Sequence, residues 1–290
     1  MKQSLNLKLK PNGEFDLKIT YLGTAAAEGF PGVFCNCEYC REARRLGGKN
    51  IRTRSQTIIN DDLLIDLPAD TYSHFLNNKI EGDKIKYLLV THSHSDHFYE
   101  REFEMRQKPF AHNMRAERLK MYCGKGVADV MEKIENINDY TVDFFLLNPF
   151  DEVSLGEYKI TSLPARHFEG DGALFYIIEG EKTILYAHDT GYFFEEVFDF
   201  IKEKGFIFDL ISLDCTNIDI PISDTGSHMG IDNINRVVKR LFDMGAINNK
   251  TKKVINHFSH NGAPIHHKLE ERVKEYGYLV SYDGLSIEIV

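Results

Sequence analysis

Hydrophobic and polar positions along this chain follow two periods, and the period changes mostly at glycine and proline. Residues 17–22 alternate and end at Gly23, which predicts a strand. Residues 57–60 and 63–66 flank Asp61-Asp62 and read as a hairpin. Residues 68–78 suit a helix with Pro68 near its first turn. Residues 85–91 form an apolar run expected as a buried strand. Residues 114–136 follow a helical period that Gly124 and Gly126 break in two. Strand patterns resume at 142–147, 159–163, 174–179 and 183–186, the last two joined by Gly180-Glu181-Lys182. A helix is predicted over 193–204, stopping at Gly205. A strand over 208–213, a helix over 231–244, a strand over 253–256, a helix over 266–276 and a strand over 285–290 complete the chain. The two similar successions favour an α/β fold with two sheets face to face and helices outside, a four-layer αββα sandwich. No repeat, low-complexity tract or Pro/Gly-rich linker interrupts the 290 residues. A single domain over 1–290 is therefore expected, with a small cysteine-bearing insertion at about 33–48.

Composition narrows the partners. A net charge of −9 argues against duplex nucleic acid or tRNA, whose affinity for proteins comes mainly from Lys and Arg contacts to phosphates. Arg41, Arg44, Arg45, Lys49, Arg52 and Arg54 are the one basic cluster. They read as a solvated helix face and loop, or as a positive rim for a small anionic substrate. No run of 18 apolar residues is present, so no membrane span is expected. Residues 1–6 lack the apolar core of a signal peptide, and the protein is expected to be cytoplasmic. Five cysteines, an odd number, make a disulfide framework improbable in that setting; Cys123 and Cys215 stand apart as buried spectators.

The densest chemistry is His92-Ser93-His94-Ser95-Asp96-His97, directly after the apolar run. If the strand continues into it, alternate side chains share a side, so His92 and His94 reach one ion. Asp96 and His97 then serve a second. Nitrogen and oxygen donors suit Zn, Mn or Fe. His167, Asp189 and His257 each follow a further apolar run. Singly each would be a structural polar residue; together they supply the three ligands a two-metal site still needs. Cys35, Cys37 and Cys40 form a C-x-C-x-x-C run that offers three corners of a structural zinc. His260, three residues after His257, is the favoured fourth corner, with Cys123 and Cys215 as weaker alternatives.

The order H-x-H-x-D-H, later His, later Asp, later His resembles the metallo-β-lactamase-fold superfamily of metal-dependent hydrolases, over nearly the whole chain. The resemblance implies that His92, His94 and His167 hold one divalent ion and Asp96, His97 and His257 a second, with Asp189 bridging. Asp189 in place of the cysteine typical of zinc β-lactamases is more like the phosphodiesterase, glyoxalase II and tRNase Z branches. Adding Gly23-Thr24-Ala25-Ala26-Ala27-Glu28-Gly29 and the cysteine run, the chain is similar to the phosphoribosyl cyclic phosphodiesterase subgroup of the carbon–phosphorus lyase pathway. Residues 98–148 depart from that subgroup in length, which bears on the substrate.

The implied activity is phosphodiesterase action on a small, anionic, cyclic or linear phosphodiester by a bimetal-activated hydroxide. It would use two divalent ions (Zn, Mn or Fe) and one structural Zn. Asp96 is expected at the reacting centre and His228 as general acid to the leaving group. Asp66 is expected to fix a ligand histidine's tautomer, or else to be a satisfied turn residue. Competing readings are a thioesterase or lactonase on the same fold, a tRNA-processing nuclease, and a non-catalytic metal-binding role in cofactor biosynthesis. A homodimer is the default oligomeric expectation.

Overall fold

The computed structural model describes residues 17–135, 140–168 and 170–290. Residues 1–6 and the end of the 114–136 segment at Asn136 lie outside the described residues. Two seven-stranded sheets organise the molecule. The first contains β1 (Leu17–Gly23), β2 (Gln56–Ile59), β3 (Leu63–Ile65), β4 (Tyr87–Val90), β5 (Leu119–Cys123), β6 (Val142–Leu146) and β14 (Leu285–Ile289), in the order β14-β1-β2-β3-β4-β5-β6. The second contains β7 (Glu152–Leu155), β8 (Tyr158–Pro164), β9 (Leu174–Glu179), β10 (Thr183–Ala187), β11 (Leu210–Asp214), β12 (Lys252–Asn256) and β13 (Leu279–Val280), in the order β13-β12-β11-β10-β9-β8-β7. Each sheet joins an antiparallel part to a parallel run, β3 to β6 in one and β10 to β13 in the other.

Alternation along the strands fills three apolar layers. Leu89, Tyr176, Ile178, Ile184 and Tyr186 face the space between the sheets. Leu88 and Val90 face α2 (Thr71–Asn78) and α3 (Lys125–Met131), through Phe75, Val127 and Met131. Phe175, Ile177, Leu185 and Ile211 face α4 (Glu195–Lys204), α5 (Ile231–Asp243) and α6 (His266–Val273). Each such side chain stabilises the fold by about 1.5–3 kcal/mol when fully buried. The result is the four-layer α/β sandwich expected from the succession of elements.

Several expectations are corrected. The 114–136 segment is not a broken helix: its first half holds β5, whose Leu119, Met121 and Cys123 pack outward while Tyr122 packs inward. The period of two inside a longer apolar stretch carried that strand. The short strands β7 and β13 were not anticipated, because at the sheet edges each has only one buried residue. Arg52 is not part of a solvated face. It is buried, donating to Thr24 Oγ1 (2.9 Å) and the Ser281 carbonyl (2.6 Å), with its guanidinium over the Phe258 ring. Among the described residues no helix is long and apolar enough to cross a membrane.

Candidate metal centre

Polar residues collect where the parallel strands end. Asp66 follows β3, the His92–His97 cluster follows β4, Asp189 follows β10, Asp214 ends β11 and His257 follows β12. Carboxyl ends of parallel strands are where such sheets build sites. The cluster lies beyond the strand, which stops at Val90, so a loop and not strand alternation brings His92 and His94 together. Asp66 (φ 65°), Asp189 (φ 50°) and His257 (φ 64°) adopt left-handed backbone conformations. That geometry is unfavourable for non-glycine residues.

Three histidines form one pole. His92 Nε2 and His94 Nδ1 are 3.0 Å apart, and His167 Nε2 is 3.1 Å from His94 Nδ1. The other pole holds Asp96, His97 and His257. His97 Nε2 is 3.2 Å from His257 Nε2 and 3.4 Å from Asp96 Oδ2. Asp189 lies between them. Its Oδ2 is 2.9 Å from His97 Nε2 and 3.0 Å from His257 Nε2, while Oδ1 is 4.0 Å from His167 Nε2.

The ring nitrogens that turn away are held. His97 Nδ1 meets Asp66 Oδ2 at 2.7 Å, His257 Nδ1 meets Thr216 Oγ1 at 2.8 Å, His92 Nδ1 meets Thr91 Oγ1 at 3.0 Å, and His167 Nδ1 meets the Ser227 carbonyl at 3.3 Å. Asp66 also accepts from the Thr91 N–H at 2.8 Å. Such backing partners orient ligand imidazoles.

Electrostatics point the same way. Burial opposes charge on His97, yet Asp189, Asp66 and Asp96 raise its pKa well above the ordinary histidine value. Burial likewise opposes ionisation of Asp189, but His257 and His97 hold its carboxyl well below the usual range. Burial pushes His92 and His167 down, so both are disposed to be neutral donors. Asp189 Oδ2 is buried with no well-directed hydrogen bond, although two ring nitrogens sit within 3.0 Å. An orphaned carboxylate oxygen among converging imidazole nitrogens fits divalent cations. The residues present therefore suit the metal ions expected here.

His228 borders the centre, with its ring stacked 5.6 Å from that of His257. Its Nδ1 lies 3.0 Å from Asp214 Oδ2, and its side chain is 23% exposed. Burial opposes protonation, but the Asp214 charge and hydrogen bond, with Asp189 behind them, raise the pKa to about 9. Asp214 was not singled out from the sequence, although it follows an apolar run as Asp189 does. It is fully buried and also accepts from Asp189 N, Thr216 N and Met229 N at 2.9–3.1 Å.

The cysteine run lies beside this centre. Cys35, Cys37, Cys40 and His260 present donor atoms all within 4.8 Å of one another. Cys37 caps α1 (Glu38–Leu46) by accepting from the Cys40 N–H. His260 Nδ1 is 3.4 Å from Cys40 Sγ and 3.9 Å from Cys37 Sγ. Burial opposes ionisation of Cys37, but hydrogen bonds from Cys40, Cys35 and His260 bring its thiol down to about 6, whereas burial pushes Cys40 up to about 12. Cys123 and Cys215, the weaker alternatives for the fourth corner, are buried in the outer cores instead. His188, His74 and His266 are buried and hydrogen-bonded outside both clusters.

Over residues 63–258, more than half its length, the chain matches the beta-lactamase superfamily domain family. The chain belongs to that superfamily, whose members are mostly metal-dependent hydrolases. Many solved structures share the fold, three of them as follows. A diphosphatase from the PhnP family is 20% identical with a TM-score of 0.73, covering 94% of this chain and 97% of its own. Zinc-bound PqqB from Methylobacterium extorquens is 17% identical at TM-score 0.70, covering 93% of this chain and 99% of its own. The metallo-beta-lactamase fold protein YhfI from Bacillus subtilis is 17% identical at TM-score 0.68, covering 95% of this chain and 100% of its own. No curated protein matches the sequence.

Proposed function

We propose that this chain is a binuclear metal-dependent phosphodiesterase acting on a small anionic phosphodiester, cyclic ones included. His92, His94 and His167 hold one divalent ion, and Asp96, His97 and His257 a second. Asp189 would serve both, and Cys35, Cys37, Cys40 and His260 would hold a structural zinc. The observation that carries the reading is Asp189, whose two carboxylate oxygens face different poles with Oδ2 orphaned in a buried setting. Paired Zn, Mn or Fe ions, when bound, lower the pKa of water and offset charge on a phosphodiester.

The chain's own groups do the rest. Asp66, Thr91 and Thr216 fix the ring nitrogens that turn away, so the opposite nitrogens face inward. His94 and His228 border solvent and mark where substrate enters. His228 donates a proton to the leaving oxygen from Nε2, while Asp214 holds its Nδ1–H. Net charge −9 supports a small substrate over a polynucleotide. The diphosphatase among the structural neighbours supports phosphorus over carbonyl chemistry. Free cysteines throughout fit a cytoplasmic setting.

The test is hydrolysis of bis(p-nitrophenyl) phosphate after reconstitution with Zn, Mn or Fe, against the monoester and a thioester, with Asp96→Ala as control. Diester turnover that the substitution abolishes is expected. Thioester cleavage alone would replace this reading with an acyl hydrolase.

A further inference from the structure

His94 differs from the other four histidines of the centre. His92, His97, His167 and His257 each have one ring nitrogen held by a backing partner. His94 Nδ1 faces His92 and His167, and among the described residues its Nε2 makes no hydrogen bond. Its ring is exposed and packs at steep angles against the other two imidazoles and the Phe168 ring. Something other than a ring hydrogen bond has to hold it.

The backbone beside it is held. Ser93, between His92 and His94, donates its N–H to Asp171 Oδ2 at 3.1 Å and its hydroxyl to Asp171 Oδ1. Asp171 stands four residues after His167, so one carboxylate joins the two loops that build the three-histidine pole. Asp171 is itself pinned from behind. Its carbonyl accepts the Gly126 N–H at 2.7 Å. A Cβ on Gly126 would overlap the Asp171 carboxylate, and one on Gly124 would overlap the Gly172 carbonyl. The two glycines that read as helix breakers are therefore the floor on which this loop rests. Gly170 (φ 87°) and Gly172 (φ 64°) give the loop its turn.

We propose that Asp171, seated on Gly124 and Gly126, is a positioning residue that sets the His92–His94–His167 pole selectively. It substitutes a backbone clamp at Ser93 for the ring partner His94 lacks. The inference rests on the reading that this pole holds an ion. Loss of a group that orients a metal ligand typically costs 10–100-fold in metal affinity.

The test follows zinc retained per chain as the zinc-loaded protein is titrated with a chelator, alongside thermal unfolding. Asp171→Ala should release one ion at about 10–100-fold lower chelator than wild type, leaving the others unaffected. His167→Ala should release the same ion. Asp171→Asn should behave as wild type, because its amide still accepts the Ser93 N–H and can donate to the hydroxyl. Gly126→Ala should reproduce Asp171→Ala by displacing the carboxylate. Wild-type retention of every ion in Asp171→Ala overturns the proposal, as does equal loss from all sites in both Asp171 variants. A wild type with fewer than two ions outside the cysteine cluster would instead sink the binuclear reading itself.

Discussion

The His/Asp centre and the cysteine cluster lie three residues apart at His257 and His260, yet they are assembled in opposite ways. The cluster is local: three donors fall within six residues of loop and helix start, and only the fourth comes from afar. The centre is global: its donors come from four segments following β4, β8, β10 and β12. Clustered cysteines with one histidine are a donor set suited to a structural ion, whereas buried oxygen and nitrogen donors gathered around one carboxylate suit chemistry. Residues 257–260 couple the two, since His260 ties the turn after His257 into the cluster. The N–H of His260 and the hydroxyl of Ser259 both reach Glu28 Oε1, at 3.1 and 2.6 Å.

If that division holds, removing Asp189 should have the largest effect. Asp189→Ala is expected to lower diester hydrolysis by roughly a thousandfold or more, with zinc in the cysteine cluster retained. Steady-state kinetics beside metal analysis checks both. His228→Ala comes next, at about 100- to 1000-fold in kcat for diesters with alkyl leaving groups. The loss should be much smaller for a p-nitrophenolate leaving group, which needs no proton, and ion content should not change.

Breaking the cluster should act on stability first. Cys37→Ser is expected to remove one zinc and about 2–4 kcal/mol of stability, read by urea unfolding. At low temperature the remaining activity should stay within about tenfold, as expected for an orienting role one step removed from the ligands.

The smallest effect concerns pH. His74 is hydrogen-bonded to Gln56 Oε1 (2.6 Å) and Thr53 Oγ1 (2.7 Å), and burial lowers its pKa to about 4. The unfolded chain then binds more protons between pH 6.5 and 4, so stability is present above 6.5 and lost as pH falls through that window. The contribution reaches at most about 3 kcal/mol. Urea unfolding at pH 7 and pH 5 should show a shallower pH slope for His74→Gln than for wild type.

Much of this was legible because apolar runs announce strand ends. His92, Asp189 and His257 each follow such a run, and the structure brings them together. Asp214 carries the same signal after β11 and was passed over, because a lone aspartate has no neighbouring histidine to mark it. Residues 119–123 were hidden by the helical period around them, and the glycines after them looked like breakers when they are points of close approach. Arg52 looked like one of a basic set, and only the tertiary fold shows it buried beneath Phe258. Asp171 has no sequence signal at all: its partners Ser93 and Gly126 are meaningful only once two loops meet.

The central claim is that Asp189 bridges two ions. Anomalous diffraction from crystals of the zinc-reconstituted protein tests it most directly. The account predicts three peaks per chain, two of them flanking Asp189 at about 3.5–4 Å from each other and one among Cys35, Cys37, Cys40 and His260. A single peak at the His/Asp centre, with Asp189 bound on one side only, would contradict it.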